Sequence, residues 1–127
     1  MRGDEIVRRT ADGDQRLVPL SSIRLIGQHL IADVLAASAV ASLVGVDSEA
    51  MTRAVEHFKG LEHALEPVTE ISGVLFVNDS KATNVEAARR AIESFKSIVV
   101  IMGGRFKGGD LRDLRPALIE RGASVVA

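Results

Sequence analysis

Val74-Leu75-Phe76-Val77-Asn78-Asp79-Ser80-Lys81-Ala82-Thr83-Asn84-Val85-Glu86-Ala87-Ala88 is the stretch on which the fold reading turns. Four apolar residues suit a short strand. From Val85 to Phe95 the apolar positions Ala88, Ala91, Ile92 and Phe95 recur at helical spacing. Between them lie seven residues, polar except Ala82, that gather a carboxylate, an ammonium, two hydroxyls and two amides. A strand-to-helix turn of this kind is where open α/β folds bind ligands. The first amides of the helix point outward there and carry partial positive charge.

Working outward, Ile98 to Met102 is a continuous apolar run, as expected of a strand covered on both faces. A second turn follows, Gly103-Gly104-Arg105-Phe106-Lys107-Gly108-Gly109-Asp110. Asp110 suits the cap of a helix from Leu111 to Arg121, with Gly122 ending it, and Ala123 to Ala127 reads as the start of a third strand. In a parallel β-α-β unit both strands point the same way, which sets the two turns side by side. Asp79, Lys81 and Thr83 would then converge with Arg105 and Lys107 on an anionic ligand, lysines serving as point charges and Thr83 as a directional donor. Asp79 suits holding a lysine or accepting from a ribose hydroxyl or an ammonium group. The plainer alternative is that Thr83 and Asn84 only cap the helix, with Thr83 and Glu86 at capping-box spacing, while the lysines are solvated. The four glycines of the second turn would likewise serve only to permit unusual backbone angles.

The N-terminal half has a different pattern. Ile6 to Arg9 and Gln15 to Val18 flank Ala11-Asp12-Gly13-Asp14, a β-hairpin signal. A helix is expected from about Gln28 to Val44, buried, with Leu30, Ile31, Val34, Leu35, Ala41 and Val44 forming its stripe and Gly45 closing it. Ser48 suits the cap of a second helix, reaching about Lys59. Leu61 to Ser72, with Pro67, reads as an extended strand or linker, so the domain boundary is placed near Gly60 to His63. The fold class is therefore α/β: a hairpin and two helices (1–60), then a partial Rossmann-like parallel sheet (61–127). A sheet of two strands and a stub buries its faces poorly, which suggests a piece of a larger protein.

Composition narrows the function. The chain has 127 residues, 46% hydrophobic and 26% charged, within the range of a folded domain. A formal net charge of −1 and 3% aromatics, with no Trp or Tyr, give no basis for nucleic-acid binding. Without cysteine there is no disulfide or thiolate nucleophile, a composition compatible with a reducing cytoplasm. The charged N-terminus lacks the apolar core of a signal peptide, and Leu30 to Val46 is too short and too alanine-rich to span a bilayer. There is no Walker A pattern and no dinucleotide fingerprint, and His29, His57 and His63 lack metal-ligand spacing.

Four blocks carry a resemblance: Gly27-Gln28-His29, Phe58-Lys59-Gly60-Leu61-Glu62-His63, Asn78 to Asn84, and Gly103-Gly104-Arg105-Phe106-Lys107-Gly108. In order and spacing, from about Glu5 to Ala127, they are similar to the Mur ligase family, and most to its D-glutamate-adding branch. The resemblance implies that residues 1–60 end a central ATP-binding domain and that 61–127 begin a C-terminal Rossmann-like domain. It implies ATP-dependent addition of D-glutamate to UDP-N-acetylmuramoyl-L-alanine through an acyl phosphate, in the cytoplasm, during peptidoglycan synthesis. By position, Thr83 and Lys107 would bind D-glutamate, Asp79 and Lys81 the ribose and phosphate side of ATP, and Asp33 the adenine. No catalytic residue or magnesium ligand falls within the chain. The P-loop, the Mg2+ ligands and the remainder of the ligase would lie outside it, leaving the piece inactive alone. Two positions depart from the family pattern. Asp33 stands for an Asn, keeping an acceptor but losing the amide donor, and Ala64 stands for an Arg beside His63. Two other readings are a non-catalytic anion- or amino-acid-binding module and a folylpolyglutamate synthase-like ligase. The short third strand speaks against the first and the Asn78 to Asn84 block against the second.

Overall fold

A computed structural model describes residues 1–105 and 107–127. Phe106, part of the second polar turn, lies outside the described residues. The chain forms two compact units, Met1–Lys59 and Gly60–Ala127.

In the first unit β1 (Glu5–Thr10) and β2 (Gly13–Pro19) pair antiparallel around Asp12-Gly13, as the hairpin signal predicts. Ile6 faces Val18 and Val7 faces Arg16, so Leu17 is an extra residue in β2. That bulge re-aims the strand and lets the consecutive side chains of Leu17 and Val18 both be buried, where a regular strand would expose one. They close on Ile6, Val34 and Met51 to make the core. Val34 lies on helix α1 (Gln28–Leu43) and Met51 on α2 (Ser48–His57). The α2 cap is Asp47, whose carboxylate accepts from Ala50 N at 2.8 Å, and not Ser48. Asp47 has the extended backbone a cap requires.

The expectation of a buried α1 is corrected. Its inward positions are Val34, Ser38 and Ser42, one per turn, whereas Val40, Leu43 and Val44 are exposed. Both of these buried serines are hydrogen-bonded. Ser38 Oγ donates to Val34 O at 2.7 Å, and Arg8 Nη1 donates to Ser42 Oγ at 3.2 Å.

In the second unit β3 (Glu66–Ile71) and β4 (Val74–Asn78) form an antiparallel hairpin closed by Ser72-Gly73, both with positive φ, 51° and 78°. Two left-handed central residues give the turn whose twist matches its strands. Helix α3 (Val85–Glu93) follows, then β5 (Val99–Ile101). A 3-10 helix, Leu111–Leu114, runs into α4 (Arg115–Glu120), and β6 (Ser124–Val126) returns parallel to β5. Ile92, Leu114 and Ala117 are the buried centre, with Val85, Ile98, Val100 and Met102 packed around them.

The α/β class stands, with a parallel pair, but the pairing differs from expectation. Among the described residues no ladder joins β4 to β5; β4 is taken by β3. Nor is the apolar run of β5 covered on both faces: Val100 meets the core while Val99 and Ile101 are 65% and 81% exposed. Strand period two sends alternate side chains away from the α3 and α4 layer, and no described residue covers that side. No described helix is long and apolar enough to cross a membrane.

Candidate functional site

The polar turn Asn78–Asn84 leaves the end of β4 and enters α3, as the strand-turn-helix reading predicts. Its own side chains build it. Asn78 Oδ1 accepts from Ser80 N at 3.2 Å, an Asx turn that starts the bend. Ala82 N donates to Asp79 O and Thr83 N to Lys81 O, at 2.9 and 2.7 Å. Asn84 then caps α3, its Oδ1 accepting from Ala87 N at 2.8 Å and its carbonyl from Ala88 N at 3.0 Å.

The expected capping box is therefore corrected. Asn84, one residue later than Thr83, adopts the extended backbone of a cap. Glu86 does not reach back; it accepts from Arg89 Nη2 at 2.8 Å and Arg90 Nε at 2.9 Å. These arginines, Arg89's hydrogen bond first and Arg90's second, hold the Glu86 carboxyl below the usual carboxylate range. The arginine pair offsets the one acidic charge in the first turn of α3. Thr83 is exposed, and among the described residues no hydrogen bond to its hydroxyl is made. Capping thus accounts for Asn84 and leaves the Thr83 hydroxyl available to a ligand.

Asp79 is half-buried and accepts from Leu65 N at 3.1 Å, which ties the turn to the loop before β3. Lys81 N donates to His63 O at 2.9 Å, while the Lys81 side chain is exposed. Asp79, Lys81 and Thr83 thus share one turn, and the first two are anchored to a loop that no sequence pattern connects with it.

The glycine turn arrives beside this one by a route other than a shared ladder. Asp110 caps the 3-10 helix, accepting from Arg112 N at 2.9 Å. Arg112 also donates to it from its side chain, the larger cause of the lowered Asp110 pKa. Leu114 of that helix packs on Ile92 of α3. This seats Gly109 against Val85, the first residue of α3. A Cβ built on Gly109, whose φ is +105°, would come within 2.9 Å of Val85 Cγ2. Lys107, two residues before Gly109, is exposed, as is Arg105. Helix packing therefore carries the loop of Lys107 to the start of α3. Asp33 is exposed on α1, in the other unit.

A groove of about 330 Å³ in the first unit, between the ribbon and α1, is lined by Ile6, Leu17, Leu35 and Leu43, and none of the predicted site residues lines it. Among the described residues no three acidic, His or Cys side chains converge as a metal would require. Sequence reasoning missed Asn78, His63 and Glu66. Asn78 Nδ2 lies 2.8 Å from His63 Nδ1 and donates to Glu66 Oε2 at 3.3 Å, while His63 N donates to the same oxygen at 2.8 Å. No local pattern announces a contact across fifteen positions.

No family model matches the chain. Individual curated proteins do. The chain is 49% identical over 121 residues, 94% of its length, to the UDP-N-acetylmuramoylalanine--D-glutamate ligase of Acidobacterium capsulatum, covering 26% of that protein. It is 42% identical over 127 residues to the enzyme of the same name from Salinibacter ruber, covering 99% of the chain and 28% of the ligase. The Lawsonia intracellularis ligase is 50% identical over 99 residues, 77% of the chain and 22% of that protein. The chain thus spans about a quarter of the length of the relatives it matches. Over that quarter the similarity runs through both polar turns, where the motif resemblance lies.

Proposed function

We propose that this chain, a segment of the Mur ligase family, forms the D-glutamate and nucleotide contact region of a ligase that joins D-glutamate to UDP-N-acetylmuramoyl-L-alanine. Thr83 and Lys107 meet D-glutamate, Lys107 as a point charge on a carboxylate and Thr83 through the hydroxyl that helix capping leaves unused. Asp79 and Lys81 face the ribose and phosphate side of ATP, with the positive end of α3 behind them. Asp33 meets the adenine as an acceptor. ATP supplies the phosphoryl group that turns the substrate carboxylate into an acyl phosphate. The chain's own contribution is to hold the amine of D-glutamate where it can attack, so that an amide forms and phosphate leaves. The magnesium ligands and the P-loop belong to the rest of the ligase, with which this segment acts in the cytoplasm, and the segment alone is inactive.

The observation that supports the reading is the seating of Gly109, two residues after Lys107, on Val85, the residue that follows the Asn78–Asn84 turn. A binding module without catalysis would share that geometry. What favours the ligase is the 42–49% identity along nearly the whole chain to proteins of that name. The test is D-glutamate-dependent ADP release with UDP-N-acetylmuramoyl-L-alanine, measured on a complete ligase carrying this segment. No release, or equal release with other amino acids, sinks the assignment. Lys107→Ala is expected to raise the KM for D-glutamate at least about tenfold, as the loss of a charge-assisted bond implies, and to move that for ATP far less. A change confined to ATP refutes the role given to Lys107.

A further inference from the structure

Two residues without glycine's freedom, His63 and Leu65, sit in the left-handed region at φ 65° and 47°, immediately before β3. Such residues persist only where their surroundings hold them. Here four bonds do so: His63 O accepts from Lys81 N, His63 N donates to Glu66, Leu65 N donates to Asp79, and the His63 ring meets Asn78. Three of those partners, Asn78, Asp79 and Lys81, belong to the polar turn.

The direction of the ring contact follows from its neighbours. Asn78 Oδ1 is occupied by Ser80 N–H, so the amide turns Nδ2 toward Glu66 and His63. With His63 Nδ1 as the acceptor at 2.8 Å, the neutral ring carries its proton on Nε2; the same nitrogen lies 3.5 Å from Glu66 Oε2. Asn78 is thereby fixed by three groups at once: the Ser80 amide, the Glu66 carboxylate and the His63 ring. It is the residue from which the turn begins.

We propose that His63 is a positioning residue: as a hydrogen-bond acceptor for Asn78, it orients the Asn78–Asn84 turn for ligand binding. It touches no ligand itself and acts through Asn78. The inference rests on the ligase reading for its kinetic consequence but not for its structural one, and the test has an arm for each.

In the complete ligase, His63→Gly removes the acceptor while relieving the backbone. His63→Asn keeps an acceptor in nearly the same place and is a residue that tolerates positive φ. His63→Gly is expected to raise the KM for both D-glutamate and ATP about fivefold, the effect of one net hydrogen bond, with kcat little changed. His63→Asn should recover most of that loss. Asn78→Leu should be at least as damaging, and adding His63→Gly to it should cause no further loss, whereas independent residues would multiply their effects. In this 127-residue chain, the side-chain amide resonances of Asn78 should shift in His63→Gly and return in His63→Asn. Multiplying effects, a fall in kcat alone, or Asn78 resonances that ignore His63→Gly overturns the proposal. Should the ligase show no D-glutamate-dependent turnover, the resonance arm still decides the positioning. Should the isolated chain not fold, the cycle in the ligase decides it.

Discussion

Replacing Asn84 with alanine separates the two jobs that the polar turn performs. The side chain carries one bond, Oδ1 to Ala87 N at 2.8 Å, on an exposed helix end. Losing an Asn cap costs about 1 kcal/mol, within a range of roughly 0.5–2. That is about a fivefold rise in the constant for opening α3. The second unit spans Gly60–Ala127, and for a domain of that size about 1 kcal/mol lowers the melting temperature by roughly 4–8 °C. Amide exchange at Ala87 and Ala88, read beside thermal melting, gives both quantities. Asn84→Asp should restore most of the loss, since its carboxylate caps equally well and suits the positive helix end. Thr83→Ala is the partner experiment. It removes a hydroxyl without an internal bond, so stability should move by less than about 0.5 kcal/mol. In the ligase the same change should raise the KM for D-glutamate. If Thr83→Ala destabilises α3 as much as Asn84→Ala, or if Asn84→Ala is silent, the assignment of the cap is wrong. The hydroxyl would then no longer be free for a ligand.

Ile92→Ala should cost about 3 kcal/mol in urea unfolding of the second unit, because Ile92 is fully buried against Leu114 and Ala117. Ile101→Ala, at an 81% exposed position, should cost less than about 0.5; a reversal of that order would misplace the core. Gly109→Ala combines a φ of +105° with a clash on Val85 and should destabilise by about 2 kcal/mol, with Val85→Ala relieving only the steric part. Full relief would mean that the backbone angle is not strained. Glu86 is held below its ordinary carboxylate range chiefly by Arg89's hydrogen bond and then by Arg90's, so it favours the folded state at neutral pH. That contribution is complete above the unfolded value, near pH 4, and is lost as pH falls through the lower folded value. Glu86→Gln should flatten the acid limb of the α3 helicity curve below about pH 4, and an unchanged limb would refute the pairing.

Local signals were read well and long-range ones were not. Asp12-Gly13 announced the first hairpin, and the α1 and α2 spans lay within a few residues of Gln28–Leu43 and Ser48–His57. The α2 cap is Asp47 where Ser48 is expected, and of the two residues expected to cap α3, Thr83 and Asn84, it is Asn84 that does so, because neighbouring cap formers differ in backbone angle. The extended strand expected within Leu61 to Ser72 is present as β3, but its pairing with β4 through the Ser72-Gly73 turn is not part of that expectation. Without that hairpin, β4 is expected to join β5, a pairing the described residues do not make. Gly109 comes against Val85 through Leu114 on Ile92, a contact no periodicity records. His63 and Leu65 in the left-handed region were not legible, since neither is glycine and the force that holds them lies in Asn78, Asp79 and Lys81.

The Ser72-Gly73 turn also sets a timetable. A hairpin joined by two residues closes in roughly 1–10 microseconds, whereas the parallel β5–β6 pair must wait for the crossover of α4 to be in place. Asn78 is the last rung of that hairpin, opposite Glu66, so the start of the polar turn becomes native when the hairpin zips. The loop of Lys107 follows only once α3 and the Leu111–Leu114 helix have collapsed together. The Asn78–Asn84 turn is thus expected to form early in folding and the loop of Lys107 late.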